Sequence, residues 1–383
     1  MPLTDYNAKS LELHERLKGK LEVKSKVPVE TKDDLSTAYT PGVAEPSRKI
    51  AENPEDVYKY TFKSNTVAVI SDGSSVLGLG NIGAEASLPV MEGKAILFKE
   101  FADIDAFPIC IKEQNTQLTI DTIKNISPVF GGINLEDIKA PECFEIEEAL
   151  QDLGIPVMHD DQHGTAIVVL AALINSLKLR ESKKEDVQVV INGAGAAGIA
   201  VTKLLLKYGF KNIIILDSKG TIYKGREDLN PIKNEMATLT NHDLIKGDLS
   251  TALQKADIFI GVSRPNLVDE KMIKSMNDKP IVLAMSNPIP EIMPDLAKKG
   301  GAFIIATGRS DFPNQVNNVL AFPGVFRGAL DIRAKKITNG MKLAAAEALA
   351  STIKPEIDKI LPSALDKSIV PAIAEAVKRA YKE

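Results

Sequence analysis

VQVVINGAGAAGIAVTKLLLKYGFKNIIILD, residues 187–217, decides the architecture of this chain. The run from Val187 to Asn192 is apolar and β-branched enough for a buried strand. It breaks at Gly193-Ala-Gly195-Ala196-Ala197-Gly198, and apolar residues then recur at helical spacing through Phe210. A second short strand, NIIILD, stops at Asp217, about 20 residues past the glycines, where a dinucleotide fold places the acid that binds ribose hydroxyls. Glycines let the backbone approach a pyrophosphate, and the helix N-terminus presents unpaired N–H groups to it. Asp217 would repel a 2′-phosphate and Lys219 would attract one, so NAD and NADP both stay open.

Working outward, ADIFIGVS, PIVLAMSN and GAFIIATG are further short strands downstream, and Ala-, Leu- and Lys-rich helices follow from about Met341. Upstream, TVAVISDG, AFPICI, GGINLEDI and IPVMHDD read as strands alternating with helices. One of these helices, about Ala84 to Phe101, is expected to break near Pro89. The expected fold is α/β: an N-terminal α/β substrate and metal domain (1–160), then a doubly wound dinucleotide-binding domain with C-terminal helices (161–383). A helix from Thr165 to Arg180 would join them.

A second Gly-x-Gly-x-x-Gly match, Gly78-Leu-Gly80-Asn-Ile-Gly83, lacks this context. Ser74 to Leu77 separate it from its strand, and Asp103 and Asp105 precede the next strand instead of ending it. It reads as a tight turn. Two acidic pairs carry more chemistry. Glu136-Asp137 and Asp160-Asp161 each end an apolar strand, where parallel sheets bind ligands. Such hard oxygen donors suit Mg²⁺ or Mn²⁺; for one pair alone, solvated loop charges or helix caps would be the ordinary explanation.

Bulk properties exclude several classes. Of 383 residues, 44% are hydrophobic and 26% charged, which excludes a disordered chain. A net charge of −4 gives no general attraction to nucleic acid or anionic lipid. Cys110 and Cys143 make no disulfide framework, which fits a reducing, cytoplasmic setting. The polar N-terminus has no signal-peptide core, and the longest apolar run, Ala166 to Ile174, reads as a buried helix.

The chain resembles the malic enzymes of the shorter prokaryotic type, from about Tyr39 to Gly324. The carriers are YTPGVA (39–44), SDGSSVLGLGNIG (71–83), EGKA (92–95), GINLEDIKAP (132–141), HDDQHGTA (159–166), GAGAAG (193–198), MSNP (285–288) and NNVLAFPG (317–324). The resemblance implies NAD(P)- and metal-dependent oxidative decarboxylation of malate to pyruvate. It implies Tyr39 as proton donor, Lys94 as general base, Glu136, Asp137 and Asp161 as metal ligands, and Asp160 as a supporting acid. Asn287 and Asn318 would contact the nicotinamide side of the cofactor and the substrate. It also suggests a homodimer, with sites open to completion by the neighbour. Longer members carry a carboxylate-gripping arginine where this chain has Val76, so Ser71, Ser74 or a partner residue would take that task. The competing reading is a metal-dependent oxaloacetate decarboxylase, a lyase with little dehydrogenase activity; the intact GAGAAG loop with Asp217 argues against it.

Overall fold

A computed structural model describes residues 5–382. The first sheet comprises β1 (Thr66–Ser71), β2 (Asp105–Cys110), β3 (Gly132–Leu135) and β4 (Val157–His159), all parallel, in the order β2-β1-β3-β4. Every residue of β1 is buried, as a strand covered on both faces must be. From β1 the chain runs to β2 on one side and then crosses back over β1 to β3 on the other. That reversal opens a crevice at the carboxyl ends of β1 and β3.

The second sheet contains β5 (Gln188–Asn192), β6 (Asn212–Asp217), β7 (Gly220–Thr221), β8 (Ile258–Gly261), β9 (Ile281–Ala284) and β10 (Ile304–Thr307). Its order is β10-β9-β8-β5-β6-β7, parallel except for the two-residue β7, which runs antiparallel to β6. Central β5 followed by the Ala196–Tyr208 helix is the doubly wound arrangement expected from GAGAAG.

The Asp160–Arg180 helix lies between the sheets. By length and composition it could cross a bilayer, but 72% of its apolar window is buried inside the protein. One hydrophobic cluster joins Met91 and Phe98 of the Ala84–Ala102 helix, Ile167 to Leu173 of the Asp160–Arg180 helix, and Val189 and Ile199 of the second sheet and its first helix. Phe98 packs against Phe322 at 4.7 Å and Phe326 at 5.3 Å between ring centroids, which ties the Phe322–Asp331 helix to the first unit.

Two local expectations are corrected. The Ala84–Ala102 helix runs unbroken through Pro89. Proline there removes one intrahelical donor, and the burial of Met91, Ala95 and Phe98 outweighs that loss. The connecting helix begins at Asp160, five residues before the expected start. Asp160 and Asp161 therefore occupy its first turn, where the helix dipole favours negative charge.

Residues 5–62 contain no buried side chain, although they form the helices Tyr6–Leu17, Lys32–Ala38, Ala44–Glu52 and Val57–Tyr60. Leu11, Val23, Val27, Val29, Leu35 and Tyr39 are each at least half exposed there. A folded segment of this length with no buried apolar residue lacks its packing partner within one chain.

Candidate active site

The carboxyl ends of β3 and β4 deliver three carboxylates to one place. β3 ends at Leu135, so Glu136 and Asp137 follow at the rim, with Asp137 in a left-handed conformation (φ 54°). β4 ends at His159, and the next helix opens with Asp160 and Asp161. Ligand atoms of Glu136, Asp137 and Asp161 lie within 4.8 Å of one another.

This trio is costly without a cation. Burial pushes the Asp137 carboxyl up to about 7, and the charge of Asp161 adds to the rise. Burial also holds Glu136 well above the carboxylate range, reinforced by Asp161, Asp160 and Asp137 and opposed by Lys94. Asp161 behaves differently: burial works upward, but a hydrogen bond and charge from His159 bring it below its ordinary value. His159 Nε2 stands 3.2 Å from Asp161 Oδ2, and the Asp137 N–H donates to the same oxygen at 2.8 Å. Asp137 Oδ2 is buried with no hydrogen-bond partner. Hard oxygen donors, mutual repulsion and an orphaned oxygen all fit a divalent ion.

Lys94 projects from the Ala84–Ala102 helix into this cluster. Its Nζ lies 2.6 Å from Asp160 Oδ2 and 2.8 Å from Glu136 Oε1, and 4.2 Å from the Phe322 ring centroid. Burial by itself would favour the neutral amine. The charges of Asp160 and Glu136 outweigh it and raise Lys94 above the ordinary lysine value. Burial alone therefore does not leave Lys94 neutral. Both of its partners hold the proton in place.

The nucleotide loop faces the same cleft. Gly195, Ala196, Ala197, Asn287 and Asn318 line a cavity of about 630 Å³ together with Asp137 and Asp161. The tight loop depends on glycine at two points. Gly193 has φ +126°, and a Cβ on Gly198 would sit 1.7 Å from the Gly193 carbonyl oxygen.

Asp217 ends β6, as expected, but it is not a free acid. Its carboxylate meets Lys233 Nζ at 2.7 Å and Arg226 at 2.9 Å, and accepts the Lys219 N–H at 2.9 Å. Burial raises its carboxyl, and these partners more than reverse the effect. With two cations on it, Asp217 no longer repels a 2′-phosphate as it would alone. Lys219, the cation expected to matter, pairs instead with Asp228 at 2.7 Å.

Tyr39 is not brought to the cleft within one chain: it caps the Lys32–Ala38 helix and is 66% exposed. Val76 is fully buried and offers nothing to a carboxylate. The Ser71 hydroxyl accepts the Gly73 N–H at 3.0 Å, and that of Ser74 accepts the Lys139 N–H at 2.9 Å. Both thus shape the loop. Sequence reasoning missed Lys139, the cationic residue of the cleft lining, and Gly78 of the second glycine motif, which also lines it. A Cβ on Gly78 would lie 2.5 Å from the Asn287 carbonyl oxygen. Gly78 is thus the close-packed point of that motif, whereas Gly80 and Gly83 have open space around them. Its signal was GLG directly after the β1 loop.

Comparison with known proteins agrees with this geometry. Residues 18–151 match the family described as malic enzyme, N-terminal domain, and residues 162–381 match malic enzyme, NAD binding domain. The chain is 55% identical over 379 residues to the bifunctional malic/malolactic enzyme of Bacillus subtilis, covering 98% of this chain and 92% of that protein. It is 51% identical to the NADP-dependent malic enzyme of Halomonas elongata, covering 95% and 85%. The crystal structure of the NAD-dependent malic enzyme from Thermotoga maritima superposes with a TM-score of 0.94 at 53% identity, covering 96% and 98%. With the metal-suited trio, the lysine and the glycine loop converging on one cleft, this chain belongs to the malic enzyme family.

Proposed function

We propose that this protein oxidises and decarboxylates malate to pyruvate and CO₂, with NAD or NADP and with Mg²⁺ or Mn²⁺. One observation carries the reading: Lys94, the Glu136–Asp137–Asp161 trio and the Gly195–Ala197 loop converge at one cleft between two parallel sheets. Family membership makes a pure lyase the weaker reading, because the cofactor loop is kept intact.

The roles follow from position. Glu136, Asp137 and Asp161 would hold the divalent ion, which supplies Lewis-acid polarisation of the substrate C2 oxygen and stabilises negative charge there as CO₂ departs. The Gly193, Gly195, Ala196, Ala197 and Gly198 loop would hold the cofactor pyrophosphate, and Asn287 and Asn318 would contact its nicotinamide end, which would supply the hydride acceptor. Lys94 takes the C2 hydroxyl proton. Its two carboxylate partners hold it protonated, so compensation of Glu136 by positive charge lets burial favour the free amine. Asp160, at 2.6 Å, keeps the amine aimed into the site and receives its proton. Lys139, paired with Glu142 at 3.2 Å on the cleft wall, is the lining cation available to a substrate carboxylate.

Tyr39 delivers the final proton to C3 from a second copy of the chain. Two features support a homodimer: Tyr39 is exposed, and residues 5–62 bury nothing in one chain. We place the division between substrate domain and nucleotide domain at 160/161, within the first turn of the connecting helix. The free thiols Cys110 and Cys143 favour the cytoplasm.

Purified protein incubated with malate, Mn²⁺ and either cofactor tests the proposal. Reduced cofactor and pyruvate should appear together in equal amounts. Oxaloacetate decarboxylation without any cofactor reduction from malate would establish the lyase instead.

A further inference from the structure

Behind the catalytic cleft lies a larger cavity, about 910 Å³, that the proposed reaction does not use. The two share the first two turns of the Asp160–Arg180 helix as a wall. Asp161 and Thr165 line the cleft, while Gln162 and His163 line the second cavity. Its apolar floor includes Ile199, Leu204 and Ile337. A metabolite-sized cavity that combines an apolar floor with convergent polar groups is the usual form of a ligand site.

Its charges divide into satisfied and unsatisfied, with the carboxylate of Glu148 exposed to solvent at its edge. Glu147 is satisfied: it accepts from the His159 N–H at 2.9 Å and from Gln162 Nε2 at 3.1 Å, and pairs with His163 Nε2 at 2.9 Å. Lys203 pairs with Glu235 at 2.8 Å. Lys342 is not: it is only 9% exposed, lines the cavity, and makes no side-chain hydrogen bond or ion pair among the described residues. Burial pushes its ammonium down to about 8, and only the more distant charge of Glu147 opposes this. A desolvated cation without a partner is a standing cost. Lys342 also sits in the first turn of the Asn339–Ser351 helix, whose N-terminal dipole favours an anion. Lys207 adds a second cation to the same wall.

We propose that this cavity is an effector site for a small organic anion, whose carboxylate or phosphate head lies on Lys342 and whose apolar body lies along Ile199 and Leu204. The route from this cavity toward Asp161 runs through Glu147, which accepts the His159 N–H at 2.9 Å, and through the His159 ring, whose Nε2 approaches Asp161 Oδ2 to 3.2 Å.

The test is calorimetric titration of the full-length protein with inorganic phosphate and, separately, with hexanoate. Wild type should bind one anion per chain; the better of the two ligands identifies the head group. Lys342→Met should weaken binding at least about tenfold, Lys207→Met less, while Lys342→Arg keeps it. Lys342→Met should also melt higher than wild type, because it removes an unpartnered buried charge. Coincident titrations of wild type and Lys342→Met, or a lower melting temperature for that variant, would overturn the site and make Lys342 a structural strut. Should Lys342→Met fail to fold, either an absence of anion binding to wild type or binding to Lys207→Met that equals wild type would overturn it equally. The coupling is read from the Mn²⁺ concentration giving half-maximal turnover. Bound hexanoate should shift it in wild type and not in Lys342→Met; no shift in wild type refutes the coupling.

Discussion

Replacing Asp137 by asparagine should stabilise the metal-free protein at alkaline pH and abolish its stabilisation by Mn²⁺. Asp137 has 4% of its surface exposed and lies within 4.8 Å of two other carboxylates. Its carboxyl rises from an ordinary 3.8 to about 7. At about 1.4 kcal/mol per pH unit, that separates its two protonation states by about 4 kcal/mol. The sign follows from linkage. The folded protein binds this proton more tightly than the unfolded chain, so the contribution is intact below pH 4 and is lost as pH rises through 7. The penalty belongs to the Asp137–Asp161 pair together, which makes about 4 kcal/mol an upper bound for either member. Asparagine keeps the shape and removes the charge. Urea denaturation in chelator at pH 5 and pH 8 measures the effect. Wild type should lose stability between the two, and Asp137→Asn should lose much less. With Mn²⁺ at about a hundred times its Kd, wild type should gain about 2.7 kcal/mol and the variant little. Equal pH dependence in the two proteins, or equal stabilisation by Mn²⁺, would refute the view that repelling carboxylates are gathered there to hold a cation.

The remaining predictions concern the other parts of the cleft. Lys94→Met should abolish malate oxidation while preserving NAD(P) binding, and should destabilise the metal-free protein by about 3–5 kcal/mol by stranding Asp160 and Glu136; turnover, cofactor titration and urea melts check these in turn. If Tyr39 works across a dimer, inactive Tyr39→Phe and Lys94→Met proteins, unfolded and refolded together, should recover roughly a quarter of wild-type turnover through hybrid dimers. No recovery would place Tyr39 in its own chain's site. Gly198→Ala forces a methyl into the Gly193 carbonyl and should remove cofactor binding, read by titration with NADH and NADPH. Lys233→Glu, which reverses a charge at Asp217, should raise the KM for NADP by more than that for NAD. Equal changes would mean that Lys233 does not face the 2′ position.

Much of this protein is local, and local signals survive in sequence. The strand, glycine loop, helix and terminal Asp217 are neighbours along the chain, and hydrophobic period and glycine geometry report them directly. The acidic pairs were legible for the same reason: each directly follows an apolar run. The Pro89 break and the late helix start were misread because propensity is a weak local preference, whereas burial of Met91 and Phe98 and the carboxylates' place in the first turn are tertiary effects.

Only the folded chain decided the rest, because it depends on residues far apart in sequence meeting at low dielectric. Lys94 stays charged through Asp160 and Glu136, 66 and 42 positions away. Asp217 is neutralised by Arg226 and Lys233. Lys342 is left without a counter-ion by the packing of one helix on others. Sequence names the groups; their ionisation and reach follow from Coulomb interaction and desolvation, which fall off with distance in space and are blind to distance along the chain.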